Sequence, residues 1–146
     1  MGSVHASAVL IGARAVLIRG ASGSGKSRLA LALLRTIDGD GRAFARLVAD
    51  DRSRLEVHHG RLLVRPAPEL AGLIEVRGLG IRRLPFEPVA VVGLVVDLAA
   101  ADGARLPDEA SRQAVIEGIG VARIAVTASF DPLPLVLAAL ATGQVS

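Results

Sequence analysis

The sequence predicts an α/β fold: a single domain over residues 1–146, with a mixed β-sheet and flanking helices. The length suits one hydrophobic core. A short apolar run, AVLI, comes just before a glycine-rich segment, GASGSGKS, and the run SRLALALLRTI with helical spacing follows. Further apolar runs separated by turn residues continue toward the C-terminus, which indicates several more strands.

The first elements are two predicted strands, residues 7–11 and 15–18, joined by a tight turn. The helix after the glycine-rich segment has an apolar face made of Leu29, Leu33, Leu34 and Ile37. It is predicted to end at the turn-forming DGDG that begins at Asp38. This half of the chain therefore predicts strand, glycine-rich loop and helix in succession.

The next elements are a buried strand and a hairpin. Residues 45–49 (ARLVA) predict the strand, and RLEVHHGRLLVR predicts the hairpin, with His58, His59 and Gly60 in its turn. Three more elements follow: a strand at residues 89–96 and then, after a charged loop, a strand at 121–127 and a helix at 134–141.

The composition excludes several kinds of site and partner. The chain has no Cys, which excludes disulfides, thiolate metal sites and cysteine nucleophiles. Its apolar runs are too short to span a bilayer, so no membrane segment and a cytoplasmic location are predicted. The net charge is +3, the basic residues are scattered, and Trp and Tyr are absent, so nucleic-acid binding is not predicted.

The segment GASGSGKS matches the phosphate-binding pattern G-x-x-x-x-G-K-S at Gly20, Gly25, Lys26 and Ser27. Glycines permit positive φ angles, so successive backbone N–H groups can face phosphate oxygens at a helix N-terminus. In this pattern the lysine reaches the β- and γ-phosphates and the serine hydroxyl binds Mg²⁺. Every other basic residue is Arg, and retaining Lys26 fits a need for a compact ammonium group.

The loop alone leaves the phosphoryl acceptor open, because ATPases, GTPases, small-molecule kinases and protein kinases share it. A GTPase of the Ras type is not predicted, since its N-K-x-D motif needs a second lysine and Lys26 is the only lysine in the sequence.

Two adjacent carboxylates, Asp50 and Asp51 in VADD, follow the buried strand. Neighbouring strand residues point to opposite faces, so one carboxylate is predicted to face the nucleotide while the other is held elsewhere. A carboxylate there can order Mg²⁺ or act as a general base, and the alternative is a polar strand end or helix cap.

A third segment, LIEVRGLGI, contains Glu75 and Arg77, which would share a face of a strand. A structural ion pair is one interpretation of these charges. Gly78 and Gly80 follow at once and indicate a backbone that bends or is closely approached, which favours a functional site.

In this order, GASGSGKS, VADD and IEVRGLGI resemble the catalytic domain of HPr kinase/phosphorylase, the bacterial enzyme that modifies a serine of the phosphocarrier protein HPr. IEVRGLGI is the most specific of the three. His5 adds to the resemblance, because its spacing ahead of Gly20 is similar to that of the family's catalytic-site His. The resemblance covers roughly residues 4–130, most firmly to about residue 84. It implies a P-loop kinase domain of the HPr kinase and PEP carboxykinase-like type.

The resemblance also implies which residues bind the nucleotide and the metal. ATP would be bound by Asp50, Arg77 and the loop residues Gly20, Ala21, Ser22, Gly23, Ser24, Gly25, Lys26 and Ser27. Mg²⁺ would be held by Ser27 and Glu75.

The catalytic roles that the resemblance implies fall on four residues. Asp51 would be the general base toward the HPr serine, and Lys26 would support the transferred phosphoryl group. His5 would pair with Asp50 and keep the acidic pair oriented. Arg105 is the best match for a further catalytic arginine in a mobile loop.

The implied protein partner is HPr, and the family resemblance also implies a homo-oligomer, a hexamer. The loop begins at residue 20, which resembles the compact alphaproteobacterial form without the separate N-terminal domain of the long members. The C-terminal segment VTASFDPLPLVL has no Lys or Arg, unlike the basic segment that the family associates with dephosphorylation. Weak or absent phosphorylase activity is therefore expected.

Two other hypotheses remain open. A P-loop small-molecule kinase would need an arginine-bearing lid, to which Arg82 and Arg83 are candidates. A non-catalytic ATP-binding regulatory module would bind nucleotide, phosphorylate no acceptor and contact a partner in an ATP-dependent way.

Overall fold

The computed structural model describes residues 2–40, 44–104 and 106–142. Within these residues nine strands form one mixed sheet: β1 (Gly2–Val4), β2 (Ala6–Ile11), β3 (Arg14–Arg19), β4 (Ala45–Ala49), β5 (Ser53–His58), β6 (Arg61–Pro66), β9 (Ala90–Asp97), β10 (Gln113–Ile116) and β11 (Ile119–Ala125). Two more strands, β7 (Leu73–Val76) and β8 (Gly80–Arg83), form a separate hairpin.

The helices are α1 (Lys26–Asp40) and α2 (Pro132–Ala141), with short 3₁₀ turns at Pro68–Leu70 and Ala110–Arg112. α2 begins after Asp131, whose carboxylate accepts the Leu133 N–H at 3.1 Å, as is typical of an N-cap. Neither helix, over the residues described, is long and apolar enough to cross a membrane.

The strand directions bring distant segments to one edge of the sheet. β2 pairs antiparallel with both β3 and β4, whereas β9 pairs parallel with β3 and with β11. β3, β4, β9 and β11 therefore end at the same edge, where β2 begins. The glycine-rich loop after β3, the acidic pair after β4 and the first residues of β2 meet there.

Apolar side chains pack on both faces of the sheet. On one face the apolar side of α1, with Leu29, Leu33 and Ile37, packs against Val16 and Ile18 of β3. On the other face, side chains of the β5–β6 hairpin pack against β2, β3 and β9. Alternate residues of β3 thus enter opposite cores, which fixes its register and the position of the loop that follows.

The main predicted elements are confirmed. The two N-terminal strands, the strand at residues 45–49, the hairpin and the mixed α/β architecture are all present. The hairpin turn contains His59 and Gly60 but not the predicted His58, which is the last residue of β5 and pairs with Arg61. The buried positions of α1 include the predicted Leu29, Leu33 and Ile37, with Leu34 partly buried.

Several boundaries differ from the prediction. α1 continues into the DGDG sequence as far as Asp40. α2 starts at Pro132, which can occupy a first helical turn because its missing N–H is not needed there. The short strands β1 and β10 were not predicted, since three or four residues carry too little periodicity to be recognised.

Candidate functional site

The glycine-rich loop joins β3 to α1 in a conformation that needs its glycines. Gly23 and Gly25 have φ angles of 82° and 102°, in the left-handed region that favours glycine. A Cβ atom on Gly20 would collide with the side chain of Ser24 and lie 3.3 Å from the Leu98 Cβ. The Ser24 hydroxyl is buried and has no hydrogen-bond partner among the described residues. This loop therefore contains a buried hydroxyl group that no described hydrogen bond satisfies.

Lys26 lies at the start of α1 with its side chain only 5% exposed. Its ammonium donates to the Gly20 carbonyl at 2.8 Å and to the Ala21 carbonyl at 3.1 Å. The side chain is thus folded back over its own loop. A buried cation beside the N-terminus of a helix is the arrangement expected for phosphate recognition.

Asp50 follows β4 and joins three segments through its buried carboxylate. Oδ1 accepts hydrogen bonds from the Ser27 hydroxyl at 2.6 Å and the Ser7 hydroxyl at 2.8 Å. Oδ2 accepts the Glu75 backbone N–H at 3.0 Å. Because Ser27 gives its only proton to Asp50, the lone pairs of its oxygen remain available to a metal ion.

Asp51 has an unusual backbone conformation. Its φ angle is 63°, and the Arg52 N–H donates to the Asp50 carbonyl at 2.7 Å, which closes a three-residue γ-turn around Asp51. A γ-turn whose central residue has a positive φ is the rare and strained form. The turn leaves the Asp51 carboxylate 60% exposed, with Oδ1 3.7 Å from the Lys26 ammonium.

The predicted placement of the two acids on opposite faces is corrected by this turn. β4 ends at Ala49, so the alternation of a strand does not extend to the acidic pair. Both carboxylates contact the start of α1: Asp50 at Ser27 and Asp51 at Lys26. Asp50 is buried and hydrogen-bonded, and the side chain of Asp51 is exposed to solvent.

The β7–β8 hairpin brings Glu75 to the site. Its backbone N–H binds Asp50 while its side chain is exposed. β7 ends at Val76, so Arg77 lies in the turn and does not share a strand face with Glu75 as predicted. Gly78 and Gly80 both have φ angles of 92°, which confirms the predicted bend.

One predicted site residue lacks its predicted contact, and another lies outside the described residues. His5 is exposed at the bend before β2, and no hydrogen bond or ion pair joins it to Asp50 in the described structure. The side chain of Ser7, two residues further on, occupies that position at Asp50. Arg105 lies outside the described residues, so its role stays a prediction.

A charged network that the sequence reading missed lies beside the loop. Asp97, at the end of β9, accepts two hydrogen bonds from Arg19 at 2.7 and 2.8 Å and one from Arg123 at 2.6 Å. Arg123 also forms a bidentate pair with Asp102 and donates to the Ser111 carbonyl. A single charge ending the apolar run of β9 was the sequence signal for this network.

The pKa of Asp97 predicts an acid-dependent loss of stability. Burial opposes its ionisation, but the hydrogen bonds and charges of Arg19 and Arg123 outweigh burial and hold the pKa below its usual value. The ionised carboxylate therefore stabilises the fold above the unfolded-state pKa of about 3.9, and this contribution is lost as the pH falls through the lower folded-state value.

We expect Asp97→Asn to lower the free energy of unfolding at pH 7 by about 1.5–3 kcal/mol, since hydrogen bonds to charged groups are lost. We also expect it to flatten the fall in stability below pH 5. Urea unfolding should be followed by circular dichroism, because the chain has no Trp or Tyr. Glu56→Gln, which breaks the more exposed pair with Arg65, is the matched control. Equal pH slopes for wild type and Asp97→Asn would contradict this account.

The donors at the loop fit Mg²⁺ bound together with a nucleotide. No cluster of three His, Asp or Glu side chains that would form a metal cage exists among the described residues. Mg²⁺ is commonly bound by one or two protein oxygens, phosphates and water, so such a cage is not required. The Ser27 hydroxyl and the exposed Glu75 carboxylate are the candidate protein ligands.

Comparison with known proteins gives one consistent family. Residues 1–85 match the family model described as HPr Serine kinase C-terminal domain. Over 80 residues, 54% of this chain, it is 46% identical to the HPr kinase/phosphorylase of Halalkalibacterium halodurans and 42% identical to that of Limosilactobacillus reuteri. The chain spans about a quarter of the length of these relatives, 24% and 23%.

A solved structure extends the similarity to most of the fold. The Hpr(Ser) kinase/phosphatase from Coxiella burnetii is similar with a TM-score of 0.72 and 29% identity, over 97% of this chain and 94% of that one. The predicted resemblance and the P-loop type of α/β fold are confirmed by these matches. The matched family region contains the loop, the acidic pair and the β7–β8 hairpin, and the chain belongs to the HPr serine kinase C-terminal domain family.

Proposed function

We propose that this chain is a single P-loop kinase catalytic domain that transfers the γ-phosphoryl group of ATP, with Mg²⁺, to a serine of HPr. The observation that carries the proposal is the pairing of two adjacent carboxylates with the first two residues of α1. Asp50 contacts Ser27, and Asp51 lies beside Lys26 but stays exposed. A plain nucleotide-binding loop needs no second, accessible carboxylate, whereas transfer to a hydroxyl group needs a proton acceptor.

The loop residues would bind ATP through their backbone N–H groups and through Lys26. The positive φ angles of Gly23 and Gly25 and the buried Lys26 ammonium at the start of α1 support this proposal. Asp50 accepts the hydrogen bond from the Ser27 hydroxyl, and this would keep the lone pairs of the Ser27 oxygen directed toward Mg²⁺. Mg²⁺, when bound with Glu75 as the second protein ligand, would neutralise charge on the phosphate oxygens.

In the proposed reaction the serine oxygen of HPr forms a bond to the γ-phosphorus while the bond to the oxygen of ADP breaks. The serine proton passes to the exposed Asp51 carboxylate. Lys26 and the loop N–H groups stabilise the charge on the transferred group. As the family resemblance implies, Arg77 would contribute to ATP binding and Arg105 would be a further catalytic residue. The pairing predicted between His5 and Asp50 is not part of the proposal, because Ser7 occupies that position at Asp50 in the described structure.

Phosphorylase activity is proposed to be weak or absent. The segment from Thr127 into α2 contains no Lys or Arg, while the relatives named kinase/phosphorylase share similarity with this chain over only 80 residues. A homo-oligomer, a hexamer as the family resemblance implies, is part of the same proposal.

The test is incubation of the chain with Mg²⁺, ATP labelled on its γ-phosphate and HPr from the same organism. We expect label on one serine of HPr, and none when that serine is changed to Ala. Parallel reactions would offer sugars, nucleoside monophosphates and shikimate-like acids. Label on a small acceptor would favour a small-molecule kinase, and ATP binding without any transfer would favour a regulatory module; either result overturns the proposal.

A further inference from the structure

Ser7 is a fully buried polar residue near the start of β2 that the proposed mechanism does not use. Its hydroxyl donates to Asp50 Oδ1 at 2.8 Å and accepts the Asp51 backbone N–H at 3.0 Å. A serine hydroxyl has one proton, and a backbone N–H can only donate, so the direction of both hydrogen bonds is fixed. One side chain therefore contacts both members of the acidic pair.

The two contacts act on different parts of the pair. The first fixes the Asp50 carboxylate, whose Oδ1 also accepts the Ser27 hydroxyl. The second fixes the backbone of Asp51 inside its strained γ-turn. The neighbouring Ala6 N–H donates to the Asp51 carbonyl at 3.1 Å, so β2 binds both the backbone N–H and the backbone carbonyl of Asp51. Strained residues persist only where their surroundings hold them in place.

We propose that Ser7 is a positioning residue that holds Asp51 in its γ-turn and Asp50 against Ser27. The inference rests on the proposed phosphoryl transfer and adds a residue to it. Without the Ser7 hydroxyl, the Asp51 N–H loses its partner and the peptide can relax toward an ordinary conformation. The Asp51 carboxylate would then leave its place beside Lys26, where the proton is to be accepted.

Ser53 offers a matched control because it is equally buried and also lies beside Ala6. Its hydroxyl donates to the Ala6 carbonyl at 2.9 Å and makes no contact with the acidic pair among its described hydrogen bonds. Ser7→Ala and Ser53→Ala each remove one buried hydroxyl from the same part of the sheet. Only the first removes a contact to Asp50 and Asp51.

The experiment measures kcat and KM for ATP in wild type, Ser7→Ala and Ser53→Ala with HPr as acceptor. We expect Ser7→Ala to lower kcat by about 10- to 100-fold, the size of effect that small misplacements of reacting groups produce. KM should change less than about threefold, because the loop and Lys26 are untouched, and Ser53→Ala should keep kcat within about twofold. An unchanged kcat in Ser7→Ala, or equal losses in both variants, would overturn the inference.

A second measurement does not depend on activity. Hydrogen exchange of the Asp51 amide, followed by NMR, should be at least about tenfold faster in Ser7→Ala and unchanged in Ser53→Ala, because only Ser7 accepts that N–H. If wild type fails to phosphorylate HPr, the proposed function fails. The exchange result then still decides whether Ser7 holds Asp51, and unchanged exchange would overturn the inference.

Discussion

Lys26→Met is expected to lower kcat/KM for phosphoryl transfer by about 10²–10³-fold, the effect of removing one preorganised donor from a charged transition state. Lys26 is 5% exposed and its ammonium is held over the loop by the Gly20 and Ala21 carbonyls. Met has a similar unbranched shape and fills the same space, so the variant removes the charge while preserving most of the packing. ATP affinity and steady-state transfer to HPr are the measurements.

Lys26→Arg separates charge from shape. A guanidinium group keeps the positive charge, but it is planar and wider than an ammonium group. Because Lys26 is buried under its own loop, we expect Arg to recover little of the lost activity. The control is Arg35→Met, which makes the same charge change at an exposed position of α1. Transfer at the wild-type rate by Lys26→Met would contradict the role of Lys26.

Folding of both lysine variants has to be verified, because the ammonium group also contributes to stability. Each hydrogen bond from a charged donor contributes about 1.5–3 kcal/mol, and Lys26 makes two. Circular dichroism at the assay temperature shows whether the variants remain folded. A loss of ATP binding in a folded Lys26→Met protein is the result that assigns the effect to phosphate recognition.

The sequence was most informative where a function depends on neighbouring residues. The loop, its lysine and the helix after it are local in the chain, and each of them is found where the pattern predicts. Asp50 and Asp51 were also recognised at the end of β4, because a buried apolar strand followed by two acids is a local pattern. The bend at Gly78 and Gly80 was predicted for the same reason.

What could not be predicted depends on contacts between distant residues. Ser7 reaches Asp50 across 43 positions of sequence, and Arg19 reaches Asp97 across 78. A serine in a run of small and apolar residues looks like any other strand position. The positive φ of Asp51 is likewise not written in VADD, because the γ-turn is held by Ser7 and Ala6 of another strand.

The sheet topology explains why these contacts form. β2 runs opposite to β3 and β4, so its first residues lie between the end of β3, where the loop starts, and the end of β4, where the acids lie. A parallel β2 would place its last residues there instead. The site is thus formed where β3 and β4 end and β2 begins. Contacts between these segments cannot be predicted from any one of them alone.

Asp51→Asn is expected to lower kcat for transfer to HPr by about 10²–10⁴-fold, the usual contribution of a general base. Asn is the informative substitution because it nearly matches Asp in shape and tolerates a positive φ, so the γ-turn at 63° should persist. Ala would disturb the backbone and the chemistry together. Steady-state transfer of labelled phosphate to HPr measures the effect.

ATP binding should distinguish loss of the base from damage to the site. Asp51 lies 3.7 Å from the Lys26 ammonium, so removing its charge leaves that cation fully available to phosphate. We therefore expect ATP affinity equal to or tighter than that of wild type, while transfer is nearly abolished. Asp131→Asn, at the N-cap of α2 where Asn caps as well as Asp, should leave both quantities unchanged. Transfer within about twofold of wild type in Asp51→Asn would exclude Asp51 as the base, because a general base contributes far more than that.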